Sequence, residues 1–247
     1  MTGRGGRRLL LGAAALAAFS GFISLGLWQL DRRAWKHELI ERIAQRVHAA
    51  PVPAPGLAEW PLVRAATHEY RRVVLRGSFD HGRETLVQAV TELGAGSWVL
   101  TPLRRDDGSM VLVNRGFVPP HRRDPVQRAA GQPPWPVTVT GLLRTSEPGG
   151  GFLRRNAPPL NRWFSRDVEA IAAARGLVAA APYFVDADAE ADASADAAAP
   201  VGGLTVVAFA DNHLAYALTW FALAAGIVAA AATVVRFERR SGQPRSS

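Results

Sequence analysis

Two runs of about 22 uncharged, mostly apolar residues, 9–30 and 214–235, lie near opposite ends of this 247-residue chain. A helix rises ~1.5 Å per residue, so ~20 such residues cross the hydrocarbon core of a bilayer. Two crossings leave both tails on one side and hold everything between them on the other. The expected organisation is a tail at 1–8, a transmembrane helix at 9–30, a domain at 31–211, a second transmembrane helix at 212–235 and a tail at 236–247. The roughly 180 residues between the runs suffice for one domain with its own core. A cleaved signal peptide is the rival for the first run, because Arg7-Arg8 precedes an alanine-rich stretch. The run outlasts a signal core and ends in Trp28-Gln29, not in a small-residue cleavage site, which favours an uncleaved anchor.

Charge decides the orientation. No Lys or Arg occurs between Arg175 and Arg236, whereas Arg236, Arg239, Arg240 and Arg245 follow the second run. Basic residues collect on the cytoplasmic side, so both tails are expected there and the middle domain outside. The first run is ambiguous alone, with Arg4, Arg7 and Arg8 before it and Arg32, Arg33 and Lys36 after it. The net charge of +8 would suit nucleic acid in a soluble protein, but many of these arginines flank spans, where they anchor to lipid, so nucleic acid is set aside as a partner. Cysteine is absent, which excludes disulfides, thiolate metal sites and covalent c-type haem attachment.

Between the runs the pattern is strand-rich. Residues 31–47 carry Trp35, Leu39, Ile43 and Val47 at four-residue spacing and continue the first helix out of the bilayer. Residues 50–61, with Pro51, Pro53, Pro55 and Gly56, read as an extended linker. Strands are expected around Val73–Phe79 with a bulge at Gly77, at 85–90, 98–103, 110–118 with room for a second bulge at Gly116, and 137–143, and again at 183–185. Asp106-Asp107-Gly108 joins the third and fourth into a hairpin. A short helix is expected at 167–175, capped by Ser165 and stopped at Gly176. The acidic, alanine-rich stretch 187–199 reads as a solvated insert. The fold class is therefore α+β: two transmembrane helices flanking one mainly antiparallel β domain on the extracytoplasmic side, partly closed as a barrel.

Chemistry concentrates at the mouths of the spans. His213, Tyr216, Trp220 and Ala224 recur along one helical face, while Ala222, Gly226 and Ala230 offer a small-residue ladder for Ala17 and Gly21 of the first span. An imidazole beside Trp28 and Gln29, with Arg32, Arg33 and Lys36 close by, suits a haem: nitrogen for iron, apolar walls for the ring, cations for the propionates. An interfacial anchor or helix cap also accounts for His213, and spacing alone favours that plainer assignment. Enzyme signals are weak. In His37-Glu38-Leu39-Ile40-Glu41 the second histidine of a zinc-protease helix is replaced by Glu41, and no nucleophile elbow, phosphate loop or dinucleotide fingerprint occurs. The only methionines are Met1 and Met110, which excludes a thioether copper carrier.

Several blocks, in order, resemble the surfeit-locus family of cytochrome c oxidase assembly proteins. Trp28-Gln29-Leu30 with Arg33 and Trp35-Lys36 is similar to the family's exit from the first span. Glu69-Tyr70-Arg71-Arg72-Val73, Trp98-Val99-Leu100-Thr101-Pro102 and Val113-Asn114-Arg115-Gly116-Phe117-Val118-Pro119 are similar to its first strand and central hairpin. Arg144, Glu147, Asn161-Arg162-Trp163, Arg166-Asp167, Pro182-Tyr183 and Asp186 follow, and Asn212-His213-Leu214 with Tyr216 and Trp220 is similar to its entrance to the second span. The chain departs from the family pattern at Asp211, at Phe117 and in the insert 187–199. The resemblance implies a bacterial inner-membrane factor, not an enzyme, that binds haem a non-covalently and helps it reach the catalytic subunit of a haem-copper oxidase. His213 would be the iron ligand, Tyr216, Trp220, Trp28, Gln29, Arg32, Arg33 and Lys36 would surround it, and the haem a synthesis machinery would be a further partner. The alternative is a membrane scaffold that stabilises an oxidase subunit without holding haem, with Arg71, Arg72 and Arg115 as its contact residues.

Overall fold

The computed structural model describes residues 3–151, 153–189, 199–205 and 211–241. The chain begins with helix α1 (Gly3–His48), followed by strand β1 (Val52–Pro53) and a short helix α2 (Ala65–His68). Strands β2 (Arg72–Phe79), β3 (Thr85–Thr91), β4 (Gly94–Arg104), β5 (Met110–Val118) and β6 (Val137–Thr145) come next. A small hairpin of β7 (Gly150–Gly151) and β8 (Arg154–Arg155), helix α3 (Val168–Ala174), strand β9 (Ala180–Ala187) and helix α4 (His213–Ser241) complete it. Two compact units result, one from residues 1–42 with 208–247, the other from 43–207.

In the first unit α1 and α4 are both long and apolar enough to cross a membrane, with mean hydropathies of 2.0 and 2.1 over their most apolar windows. Helix α1 does not stop at the end of its apolar run but continues to His48, because no proline or capping break intervenes before Ala50-Pro51, where the residue preceding proline is driven out of the helical region. The helices meet along narrow stripes. On α4 Ala217 and Ala224 are fully buried, two turns apart. On α1 the facing position is Gly26, where a Cβ would overlap the Phe221 ring. The expected ladder is not at this contact. Ala222 sits ~140° around the helix from Ala217, and Ala222, Gly226, Ala230, Ala17 and Gly21 are all exposed. Alanine is so abundant in α4 that several small-residue ladders coexist in its sequence, and the bulk of Trp220 and Phe221 selects among them.

In the second unit seven strands form one sheet in the order β1-β2-β6-β9-β5-β4-β3. Pairing of Ser78 with Arg104 and of Phe79 with Leu103 joins β2 back to β4, closing a five-stranded barrel of β2, β6, β9, β5 and β4. The pairings are antiparallel except β1–β2 and β5–β9. Alternation along the strands sorts the core. Val111, Val113, Tyr183 and Val185 point into one cluster with Val73, Leu75, Leu103 and Leu143. Leu112 and Phe184 point the other way, against Trp163 and against Val168 and Ile171 on α3. Central β5, covered on both faces, therefore reads as an almost unbroken apolar run.

Three local expectations change. Gly77 stays in regular register with Val137 and is not a bulge; it lacks a side chain because Arg104 of β4 passes against it where the barrel closes. The bulge lies opposite Val99, where β5 places both Arg115 and Gly116 between consecutive paired residues. Helix α3 is capped by Asp167, which accepts from the Ala170 N–H at 3.2 Å, while Ser165 accepts from Asn156 instead. The proline-rich segment is no free linker either: β1 pairs with β2, Ala54 is buried, and Pro55 O accepts from Tyr183 Oη at 2.7 Å and Arg105 Nη1 at 3.1 Å.

Candidate functional site

The mouth of the paired helices gathers polar groups onto the contact stripe. Phe22, Gly26, Gln29, Arg33 and Lys36 follow one another at three- and four-residue steps, so they share a side of α1. Opposite them the backbone N–H of His213 donates to Asp211 Oδ1 at 3.1 Å, which starts α4 with a local side-chain cap. The His213 ring bonds through Nδ1 to Gln29 Oε1 at 2.8 Å. This contact occupies Nδ1 and leaves Nε2 as the ring nitrogen not engaged by Gln29. Two turns deeper Trp220 stacks on Phe22, ring centroids 5.6 Å apart at 27°.

Asp211 ties the two helices a second time. Its Oδ2 accepts from His37 Nε2 at 2.7 Å and lies 3.4 Å from Arg33 Nε. The hydrogen bond from His37, then that from the His213 N–H, hold its carboxyl below the ordinary aspartate range. Sequence puts Asp211 beside His213 at the start of the second apolar run but does not place His37 in this cluster. His37 reads as a solvated helix face, and Asp211 as a departure from a pattern. The signal was the separation of Arg33 from His37 by four residues, which puts both on one side of α1.

Of the eight residues assigned to a haem from sequence, Gln29, Arg33, Lys36, His213 and Trp220 lie on the contact stripes. Tyr216, Trp28 and Arg32 do not; Tyr216 and Trp28 are more than half exposed, and the Arg32 guanidinium lies 4.6 Å over the Trp35 ring. Tyr216 therefore falls beside the face it was expected to share with Trp220. The donor set suits a haem: an imidazole oriented by a second group, aromatic neighbours, and cations within two turns.

The arginines expected to touch a partner are scattered in the second unit. Arg71 is exposed. Arg72 Nη2 is 2.6 Å from Asp188 Oδ2. Arg115 donates to Gly131 O and sits 5.0 Å over the Phe79 ring, so it takes part in holding its own fold. Residues 190–198 of the acidic insert lie outside the described residues.

A second polar cluster is buried in that unit. Asp186, whose side chain is 2% exposed, accepts through Oδ1 from Asn114 Nδ2 at 2.7 Å and Arg166 Nη1 at 3.1 Å, and through Oδ2 from Arg144 Nη1 at 2.9 Å and Thr205 Oγ1 at 3.0 Å. Arg144 also donates to Glu69 at 2.7 Å, and Arg166 to Glu147 at 3.0 Å. Burial works against the charge on Arg144, but Asp186 and Glu69 outweigh it and hold the guanidinium protonated. Each guanidinium here is answered by carboxylates. The cluster thus behaves as a clamp on β5, β6, β9 and Thr205, and not as an anion site.

A sequence profile described as the SURF1 family matches residues 16–225. Surfeit locus protein 1 from Mus musculus is 38% identical over 217 residues, covering 81% of this chain and 68% of the mouse protein. The Homo sapiens protein of the same name is 38% identical over 218 residues, covering 81% and 69%. A SURF1-like protein from Monosiga brevicollis is 35% identical over 234 residues, covering 90% of this chain and 85% of its own length.

Proposed function

The chain belongs to the SURF1 family of cytochrome oxidase assembly factors, and from that premise we propose that it carries haem a as cargo for the catalytic subunit of a haem-copper oxidase. The observation that carries this reading is the 2.8 Å bond from His213 Nδ1 to Gln29 Oε1 at the mouth of the spans. It orients the imidazole and leaves Nε2 as the nitrogen for iron. Trp220 supplies apolar surface for the ring, and Arg33 and Lys36, on the same side of α1 as Gln29, supply cations for the propionates. Gln29 and the Asp211–His37 contact hold the ligand-bearing start of α4 against α1. The haem a synthesis machinery is the source of the cargo. The protein acts as a carrier and not as a catalyst.

Arg236, Arg239, Arg240 and Arg245, which follow the second apolar run, set against the absence of Lys and Arg between Arg175 and Arg236, support cytoplasmic tails in a bacterial inner membrane with the β domain outside. The test is the absorption spectrum of the full chain purified from cells making haem a. Wild type should carry haem, and His213→Ala should lose the ligand-field features and bind more weakly. A His213→Ala protein with the wild-type spectrum and stoichiometry would leave the scaffold reading standing instead.

A further inference from the structure

The expected partner arginines left Arg72 and Arg115 engaged within the fold, but a different group of arginines converges on a cleft beside β3. This cleft, about 340 Å³, lies between the β3–β4 hairpin and the segment 161–164, and no acidic residue lines it. Arg123 and Arg162 line it. Arg154 reaches its edge, where Nη1 donates to Gln88 Oε1 at 2.9 Å. Arg154 and Arg162 both lie over the Phe164 ring, 5.5 and 5.8 Å from its centroid. Arg175 Nη2 donates to Asn161 Oδ1 at 2.7 Å on the same wall. Among the described residues none of these four arginines has an acidic partner within ion-pair distance, unlike Arg128, Arg144 and Arg166.

Two guanidiniums gathered around one ring concentrate positive charge at the cleft, and a bound anion offsets it. The ring and the Gln88 carboxamide also hold the guanidiniums in place, so little side-chain freedom is lost on binding. We propose that this cleft docks an acidic segment of a partner protein, its carboxylates received by Arg154, Arg162 and Arg123. Planar guanidinium forks match carboxylates. Backbone pairing is not the means, because the outward N–H of Gln88 on β3 already donates to Trp163 O at 2.9 Å. A bilayer is disfavoured as the occupant, since a headgroup surface meets projecting cations more readily than a recessed polar cleft. The proposal is independent of haem binding.

The test uses the full chain in detergent and a short fluorescent peptide of alternating Glu and Gly, read by anisotropy at low and raised salt. The wild type should bind, and Arg154→Gln with Arg162→Gln should lose roughly tenfold in affinity. Arg76→Gln with Arg104→Gln, which removes the same charge elsewhere, should bind as wild type does. Arg123→Gln, whose side chain has no partner among the described residues, should weaken binding without lowering the melting temperature. It keeps the test decisive if the double variant fails to fold. Equal losses in both double variants would reduce the effect to net charge and overturn the proposal. So would an absence of peptide binding, or phosphatidylglycerol vesicles that bind through the cleft arginines while the peptide does not.

Discussion

Gly116 should be among the least replaceable residues of the β domain, for a reason that can be worked into a magnitude. It has φ +129, a region that residues with a side chain enter at about 1–3 kcal/mol. A Cβ there would overlap the carbonyl of Val201 and press on Gly202 N. That carbonyl accepts from Phe117 N at 2.9 Å, and Val201 N donates to Phe117 O at 2.9 Å. Displacing Val201 breaks both bonds, each contributing about 0.5–1.5 kcal/mol. Gly116→Ala should therefore cost roughly 2–6 kcal/mol, a fall in melting temperature of about 5–20 °C for a domain of this size. Gly94 supplies the control: its φ is +98, but nothing lies within 4 Å of its Cβ position, so Gly94→Ala carries only backbone strain. Thermal unfolding of both variants, followed by near-ultraviolet circular dichroism, separates the two contributions. If Gly116→Ala melts no lower than Gly94→Ala, the contact with Val201 contributes nothing and the reasoning is wrong.

Asp186→Ala should destabilise the domain by about 3–5 kcal/mol, because it leaves two guanidiniums and the Asn114 amide without their shared acceptor; denaturant unfolding measures this, and a loss under ~1 kcal/mol would make the clamp dispensable. His81 has a pKa lowered from 6.5, chiefly by burial and in part by Arg115, despite its bond to Pro133 O. The unfolded chain therefore binds the proton more readily, and stability should be complete above pH 6.5 and decline as pH falls toward the lower native value. His81→Gln should flatten that acidic slope, and an unchanged slope would assign it to other groups. Gly26→Leu should force α1 and α4 apart at Phe221. The chain has no cysteine, so oxidative cross-linking of Phe22→Cys with Trp220→Cys, whose parent rings stack at 5.6 Å, reads the helix contact directly. Cross-linking that proceeds equally well in the Gly26→Leu background would show that the close approach at Gly26 is not needed.

Composition and periodicity determined much of this protein. A run of some 22 uncharged residues has no stable place in water except a bilayer or a core, and the near-continuous apolar pattern of 110–118 suits a strand buried on both faces. Both readings rest on neighbours within a few residues, which the sequence displays. Of the two glycines that sequence marks as bulge candidates, only Gly116 is one: Gly77 and Gly116 both interrupt apolar strands, and spacing alone does not say which glycine marks a bulge and which a close crossing. The candidate site was only half legible. The residues at the span mouths stand out because polar groups are costly there, but helical spacing ranks faces without saying which one meets a partner. Only packing decided that Ala217 and Ala224, and not Ala222 and Gly226, lie on the buried stripe of α4, because the fit of Phe221 against the bare backbone of Gly26 is a property of two helices together. Tertiary structure likewise decided that Arg72 meets Asp188, 116 residues away, and that Arg144 and Arg166 share Asp186. A guanidinium reads the same in sequence whether it is solvated, clamped or open to a ligand. The difference lies in which carboxylates the closed barrel brings within about 3 Å of it, and that distance exists only once the chain has folded.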